Sequence, residues 1–360
     1  MKLTRNLPEK KGLLMQSKII TIDKKLLPSD EEKSMDVIFD YFPDHEIEIT
    51  DTPTHYHLEL NRSDFLYCEN VENGLKCFGI NKKEVRYFYL MGQRSFFCLL
   101  ESWIPYGWSK FMAETQYFPD SLTIIHLDDH TDLMSPKISA NHGGWKDMLT
   151  GETVNFSEPE SIKMAIESGA ITVGSMMTPL IHHIGKVDVF HLMQNVETVS
   201  RYFEKAKQPD RLIDPKQKII SINFTDKSNN KSVKNNIYLK TSYFSEIIKR
   251  IQPDTDIFLH IDMDYFNNRF NGSTDWANYP VKHNLSLDKQ KMVMRVFCRN
   301  IFEAGLISRI KHVCIGISPS FYPSEYWKEG TACLLRELDS VGLKVADLTK
   351  ELNLNEENVL

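Results

Sequence analysis

Apolar positions follow two rhythms along this chain. In residues 1–85 they alternate with polar ones over short stretches: Lys18–Asp23 (KIITID), Glu46–Thr50 (EIEIT) and His55–Leu60 (HYHLEL), with charged or proline-containing segments between. Alternation places apolar side chains on one face of an extended chain, so this part reads as a small N-terminal extension built of short strands. Over 86–360 the apolar runs are mostly unbroken: Leu122–Leu127, Val187–Leu192, Lys218–Phe224, Asp256–Ile261 and His312–Ile317. Such runs suit strands buried on both faces. Between them, stretches 94–104, 160–169, 195–206, 242–251, 286–304 and 325–341 carry helical patterns. Ser286 is the expected N-cap of the fifth, with Asp288 in its first turn, where negative charge suits the helix dipole. Strands alternating with helices predict an α/β domain with a mostly parallel central sheet. Ligands of such sheets bind beyond the carboxyl ends of the strands. The residues directly after each apolar run are therefore the candidates for chemistry.

Composition narrows the function classes. The chain has 360 residues and a net charge of −6, with 43 Lys and Arg against 49 Asp and Glu. It lacks the basic footprint of a nucleic-acid binder. Hydrophobic residues at 41% and charged residues at 26% fit a soluble globular chain and exclude a disordered one. No apolar run approaches the roughly 20 residues of a membrane span. The opening stretch, MKLTRNLPEKKGLLMQSK, is interrupted by charges and a proline and does not read as a signal peptide. The six cysteines are scattered without a Cys-x-x-Cys pair, as expected of reduced core residues in a cytoplasmic protein. Phosphate-loop, dinucleotide and serine-elbow motifs are absent.

Two apolar runs end in acids. Leu122–Leu127 leads into Asp128-Asp129-His130-Thr131-Asp132, and Asp256–Ile261 into Asp262-Met263-Asp264. Residues two apart in extended chain share a face, so Asp128, His130 and Asp132 converge, as do Asp262 and Asp264. If the two strands are neighbours, four carboxylates and one imidazole meet. Like charges gathered in a partly buried cleft repel strongly, and divalent cations remove that cost. An oxygen-rich donor set without sulfur suits Mn²⁺ better than Zn²⁺. A single acidic cluster after a strand is more often a helix cap or a solvated loop. Two such clusters, one with a histidine at the alternating position, favour metal.

The pair Asp128-x-His130-x-Asp132 and Asp262-x-Asp264 resembles the metal signature of the arginase/ureohydrolase superfamily, which also includes histone-deacetylase-like hydrolases. The deacetylase branch typically lacks the acids corresponding to Asp132 and Asp264, so the resemblance is to the two-metal branch. The chain is closer still to the group that contains the peptide arginases, which convert arginine residues of ribosomal precursor peptides to ornithine. Ile171–Leu192 resembles that group's Gly-Ser-x-x-x-Pro block, and Cys314–Pro323 its late Ser-Pro strand end. The resemblance spans roughly residues 86–342. It implies a three-layer arginase/deacetylase-like fold over 86–360, two Mn²⁺ ions bridged or anchored by Asp128 and Asp262, an arginine-containing precursor peptide as partner, and urea as product. It casts Asp132 as a ligand close to the chemistry. It casts His142 as a proton shuttle, in a loop where Ser139 and Asn141 would face the substrate.

The chain also departs from the pattern. Two-metal members supply a sixth ligand, a histidine, before the helix that precedes the first motif. The matching stretch Leu90–Ser95 has none, and Gln93 is its one candidate oxygen donor. The late-strand acid that holds guanidinium in arginases is missing from Cys314–Ser318, which leaves Glu325 or Glu329 downstream. Met134 stands where free-arginine enzymes grip the α-amino and α-carboxylate groups, which fits an arginine locked in peptide bonds. Other readings of the same motifs are amide deacetylation, another ureohydrolase, or a metal-stabilised peptide-binding module. His126 and His260, each two residues before a ligand aspartate, read as core histidines able to orient a metal-bound carboxylate. The sequence sets no oligomeric state.

Overall fold

The N-terminal alternation is realised as strands β1 (Ile19–Asp23), β2 (His45–Asp51) and β3 (His55–Arg62), in an antiparallel sheet of order β1-β3-β2. Ile20, Ile22, Tyr56 and Leu58 face inward. Helix α1 (Glu31–Tyr41) follows β1, capped by the Asp30 side chain, which accepts from Lys33 N. In this computed structural model residues 19–43, 45–62, 68–141, 143–225, 236–278 and 280–354 are described. The small sheet belongs to the same apolar core as the rest. Tyr41 donates to Asp210 Oδ1 at 2.5 Å, and His45 Nε2 meets the Ser168 carbonyl at 3.0 Å.

The remaining chain runs α2 (Glu72–Cys77), β4 (Tyr89–Met91), β5 (Ser95–Cys98), α3 (Ile104–Thr115), β6 (Ser121–Leu127), β7 (Ile138–Asn141), β8 (Gly144–Asp147), β9 (Thr153–Val154), α4 (Pro159–Ser168) and α5 (Met177–His183). It continues with β10 (Lys186–Leu192), β11 (Val199–Pro209), β12 (Lys218–Thr225), β13 (Asn236–Thr241), α6 (Phe244–Ile248), β14 (Ile257–Asp262), α7 (Leu287–Glu303), β15 (Ile310–Gly316), α8 (Trp327–Ser340) and α9 (Ala346–Glu351). The large sheet has 12 strands in the order β4-β5-β15-β14-β6-β10-β13-β11-β12-β7-β8-β9. Its centre, β5 to β13, is parallel, and both flanks are antiparallel. The α/β class and the parallel centre are as expected.

Helices cover both faces of that centre. On β5, Phe96 lies under α3, so closely that a Cβ on Gly107 would meet its ring at 2.6 Å. The next residue, Phe97, points the other way to Phe78, which stacks on Trp327 of α8. Two expected helices are strands. Within 94–104, Ser95–Cys98 pairs with β15 and the helix starts only at Ile104. A short apolar run carries no period that separates a buried strand from a buried helix. Within 195–206, Val199–Pro209 is β11, held between β13 and β12, where sheet pairing overrides the helical preference of Glu204-Lys205-Ala206-Lys207. All six cysteines are free, and no helix among the described residues is long and apolar enough to cross a membrane.

Candidate metal centre

Strands β6 and β14 are parallel neighbours in register, His126 opposite His260 and Leu127 opposite Ile261. Their carboxyl ends therefore deliver both acidic motifs to one place. Ligand atoms of Asp128, His130, Asp262 and Asp264 fall within one metal-sized group, and those of Glu101, Asp128 and Asp132 within another, with Asp128 common to both. Asp128, Asp132, Asp262, Asp264 and Glu101 are all buried.

Glu101 was not among the expected ligands. It follows β5, at the same end of the sheet as the two motifs, and its side chain lies over β15. A Cβ on Gly316 would meet Glu101 Cγ at 2.6 Å, so glycine there leaves room for the carboxylate. Gln93, expected as sixth ligand, precedes β5 and lines a surface recess with Arg94, Tyr117 and Lys311 at the opposite, amino end of the strands. The signal that finds Glu101 is the one that finds the aspartates, an acid directly after a buried apolar run.

The carboxylates are aimed by short local contacts. His130 N–H donates to Asp128 Oδ1 at 2.6 Å, Asp264 N–H to Asp262 Oδ1 at 3.0 Å, and Asp129 N–H to Asp264 Oδ1 at 3.1 Å. The Ser318 hydroxyl donates to Asp262 Oδ2 at 2.8 Å. Asp132 has φ +48° and Ser318 φ +53°, left-handed conformations uncommon for non-glycine residues and concentrated at functional sites. Asp128 Oδ2, Asp132 Oδ2, Asp264 Oδ2 and Glu101 Oε1 are buried without a hydrogen-bond partner. Native interiors rarely leave such atoms unpaired. Two of them, Asp264 Oδ2 and Glu101 Oε1, lie 2.9 Å from His130 Nδ1 and His260 Nε2, and the oxygens gathered at the ends of β5, β6 and β14 fit divalent cations as their missing partners.

Protonation follows the same logic. Burial, reinforced by the neighbouring carboxylates, pushes Glu101, Asp128 and Asp262 well above the usual carboxyl range. Burial raises Asp132 to about 7. Burial works against the His130 imidazolium, but Asp264 Oδ2 at 2.9 Å from Nδ1 more than offsets it and lifts the group to about 9. Asp129, between the ligands, is different. Burial opposes its charge, yet His283, Lys282 and Asn268 together hold it below the usual range, with His283 Nε2 2.7 Å from Oδ2. It ties the segment after β14 to the first motif and is committed to that task.

Beneath the acids lies a row of buried histidines. His191 on β10, His126 on β6 and His260 on β14 share one register and one face. A third metal-sized group contains His126, His260 and Asp128. Three of its four ring nitrogens are engaged, however, leaving His260 Nε2 without a hydrogen bond. His126 Nε2 faces the His130 carbonyl at 3.0 Å and so carries a hydrogen, which makes His126 Nδ1 the acceptor of His260 Nδ1–H across 2.8 Å. Burial keeps all three imidazoles neutral, His191 near 4 and His260 near 3.

The other expected site residues stand apart. The two carboxylate oxygens of Glu325 are paired with Arg269 Nη1 and Nη2 at 3.2 and 2.8 Å, a bidentate ion pair that competes with any substrate guanidinium. The expectation that Ser139 faces the substrate is not met. Ser139 is buried on β7, five strands from β6 in the sheet order, with its hydroxyl on the Lys146 carbonyl. Asn141 ends that strand, paired with Gly144. His142 lies outside the described residues. Met134 is 66% exposed, its N–H on the Gly174 carbonyl at 2.9 Å and its carbonyl on the Thr178 hydroxyl at 2.8 Å. The Gly-Ser-x-x-x-Pro block thus fixes the lip beside Asp132. No family model and no curated protein sequence matches this chain.

Proposed function

We propose that this protein is a dinuclear manganese hydrolase with an arginase-like fold that converts arginine residues of a peptide to ornithine and urea. The reading is carried by one observation: five buried carboxylates and one imidazole at adjacent strand ends form two ligand groups that share Asp128 and leave four oxygens unpartnered. The oxygen-dominated donor set suits Mn²⁺. Two such ions, when bound, supply an acidified water at neutral pH and Lewis-acid polarisation.

The chain's own residues supply orientation. Asp128, Asp262 and Asp264 are each fixed through one oxygen by a backbone N–H, so the site is preorganised rather than assembled around the substrate. Phe321 packs edge-on to His130 at 4.9 Å and limits water on that side. Met134 gives the mouth an apolar lip with no group to hold a free ammonium or carboxylate, which favours an arginine whose ends are in peptide bonds.

The test is mass spectrometry of an arginine-containing peptide incubated with Mn²⁺ and the protein. Each conversion removes the elements of cyanamide and releases one urea, and free L-arginine is turned over far more slowly. A peptide left unchanged by Mn²⁺-loaded protein overturns the hydrolase reading. Equal turnover of free arginine overturns the peptide assignment.

A further inference from the structure

Three histidines in one buried row are an unusual floor for an acid cluster. All three side chains are fully buried, in a layer where aliphatic residues would pack without polar cost. Each reaches up to a different residue of the ligand-bearing segments. His191 Nε2 contacts the Asp128 carbonyl at 2.9 Å, and His126 Nε2 the His130 carbonyl at 3.0 Å. His260 Nε2 approaches Glu101 Oε1 to 2.9 Å. The rings touch along the row, with centroids 4.6 and 5.0 Å apart. The Tyr238 hydroxyl closes the far end on His191 Nδ1 at 2.7 Å.

The contacts differ in kind. His191 and His126 hold backbone carbonyls, which fixes the path of the Asp128–His130 segment. His260 alone meets a carboxylate side chain. Glu101 belongs to only one of the two ligand groups, with Asp128 and Asp132. Gly316 leaves it space, and the His260 ring limits where in that space it sits. Partners behind a ligand orient it and tune its affinity for metal.

We propose that His260 is a positioning residue for Glu101 and controls occupancy of one cation position, that of Glu101, Asp128 and Asp132, leaving the other unaffected. The inference rests on the two-cation reading above. It is tested by Mn²⁺ equilibrium dialysis and electron paramagnetic resonance on wild type, His260→Leu, His260→Gln and Glu101→Ala. Leucine preserves apolar packing without a polar contact, whereas glutamine restores one.

Wild type is expected to bind two ions with a coupled-pair signal. His260→Leu is expected to match Glu101→Ala, with one position weakened roughly 10–100-fold, the other retained, and an isolated Mn²⁺ spectrum. Glutamine recovers part of the lost affinity. If His260→Leu folds and keeps the coupled pair, the histidine merely fills space and the inference is overturned. It is equally overturned if both positions weaken together. Should the leucine variant fail to fold, the glutamine variant decides: weakening confined to one position supports the inference, and wild-type affinity at both overturns it. A wild-type protein that binds a single ion overturns the two-cation reading itself. Two ions without urea release overturn only the arginine chemistry.

Discussion

The two ends of the parallel sheet are made by the same strands and treat charge in opposite ways. At the amino end, Asp256 accepts from the Tyr117 hydroxyl at 2.6 Å and pairs with Lys311 at 3.2 Å. Arg94 and Arg309 spend their guanidinium groups on the carbonyls of Lys311 and Thr255. At the carboxyl end, five carboxyl groups and His130 fall into two clusters that share Asp128, and four of their oxygens make no hydrogen bond. The recess at the amino end has a volume of about 400 Å³, yet the charged groups around it are locally neutralised. Concavity alone therefore does not mark the candidate site in this molecule. Clustered carboxyl groups on rigid strand ends do, because burying like charge is costly unless protonation or a ligand relieves it.

The strongest way to break this contrast is at its sharpest point. Asp128→Asn or Asp262→Asn is expected to abolish both Mn²⁺ binding and urea release, measured on the same preparation. Either substitution removes a charge and a ligand atom at once. Retention of bound metal would mean that the cluster is not the cation site.

A smaller effect comes from pH without metal. Carboxyl groups raised by burial favour the folded state only while protonated. Stability is full below the unfolded value near 4 and falls as pH rises to the folded values, about 7 for Asp132, with Glu101, Asp128 and Asp262 raised in the same direction. His130, raised to about 9, acts in the same direction, since its contribution is lost as pH climbs through that value. The neutral-held histidines act oppositely, but only below their unfolded value near 6.5. The interval from pH 7 to 9 therefore isolates His130 among the groups with a defined window. Each unit is worth about 1.4 kcal/mol per group. Metal-free protein is expected to melt roughly 5 °C lower at pH 9 than at pH 7, and saturating Mn²⁺ should erase the difference. Differential scanning calorimetry with and without chelator reads this directly. A flat metal-free profile would show that the acids are relieved by the protein itself.

The amino end supplies the control with the smallest effect. Asp256→Asn removes a half-exposed ion pair worth at most about 1 kcal/mol. Metal content and turnover should stay at wild-type values. Any loss of Mn²⁺ would mean that the two ends are coupled and the contrast is false.

How far this site was legible in the sequence depends on which strand is considered. Asp128, His130, Asp132, Asp262 and Asp264 follow runs whose strand character is plain, and the period of two then brings them together. Glu101 follows the same rule but hides behind Ser95–Leu100, where six apolar or small residues satisfy helix and strand patterns alike. Read as helix, that stretch sends the search for a sixth ligand to Gln93, at the wrong end of the sheet. The parallel centre was legible because its strands are buried on both faces. In the antiparallel flank β12 was legible from Lys218–Phe224 but β11 was not, because it is largely exposed, reads as helix over Glu204-Lys205-Ala206-Lys207, and takes its identity from partners distant in sequence. Of the three histidines, His126 and His260 were visible one by one and His191 was not singled out, and only the strand order makes them a row.

The docking of α2 on α8 bears on how the molecule is made. A Cβ on Gly74 would meet the Trp327 indole at 2.5 Å, so the helix lies flat on that ring. Nearby, Ser324 N–H donates to Glu69, a partner 255 positions earlier. Segments that leave the ribosome early must wait for partners 255 positions later in the chain. At about 5–20 residues per second, that wait is roughly 10–50 s. Throughout it, Phe78 and the outer face of β5 lack their cover, and β15, with Gly316 and Ser318 behind it, has not yet been placed beside β14. The acid cluster therefore cannot take its final form until β15 and Ser318 have emerged and docked beside β14. This is also the interval in which the chain depends most on chaperones to keep its unpaired strands from other proteins.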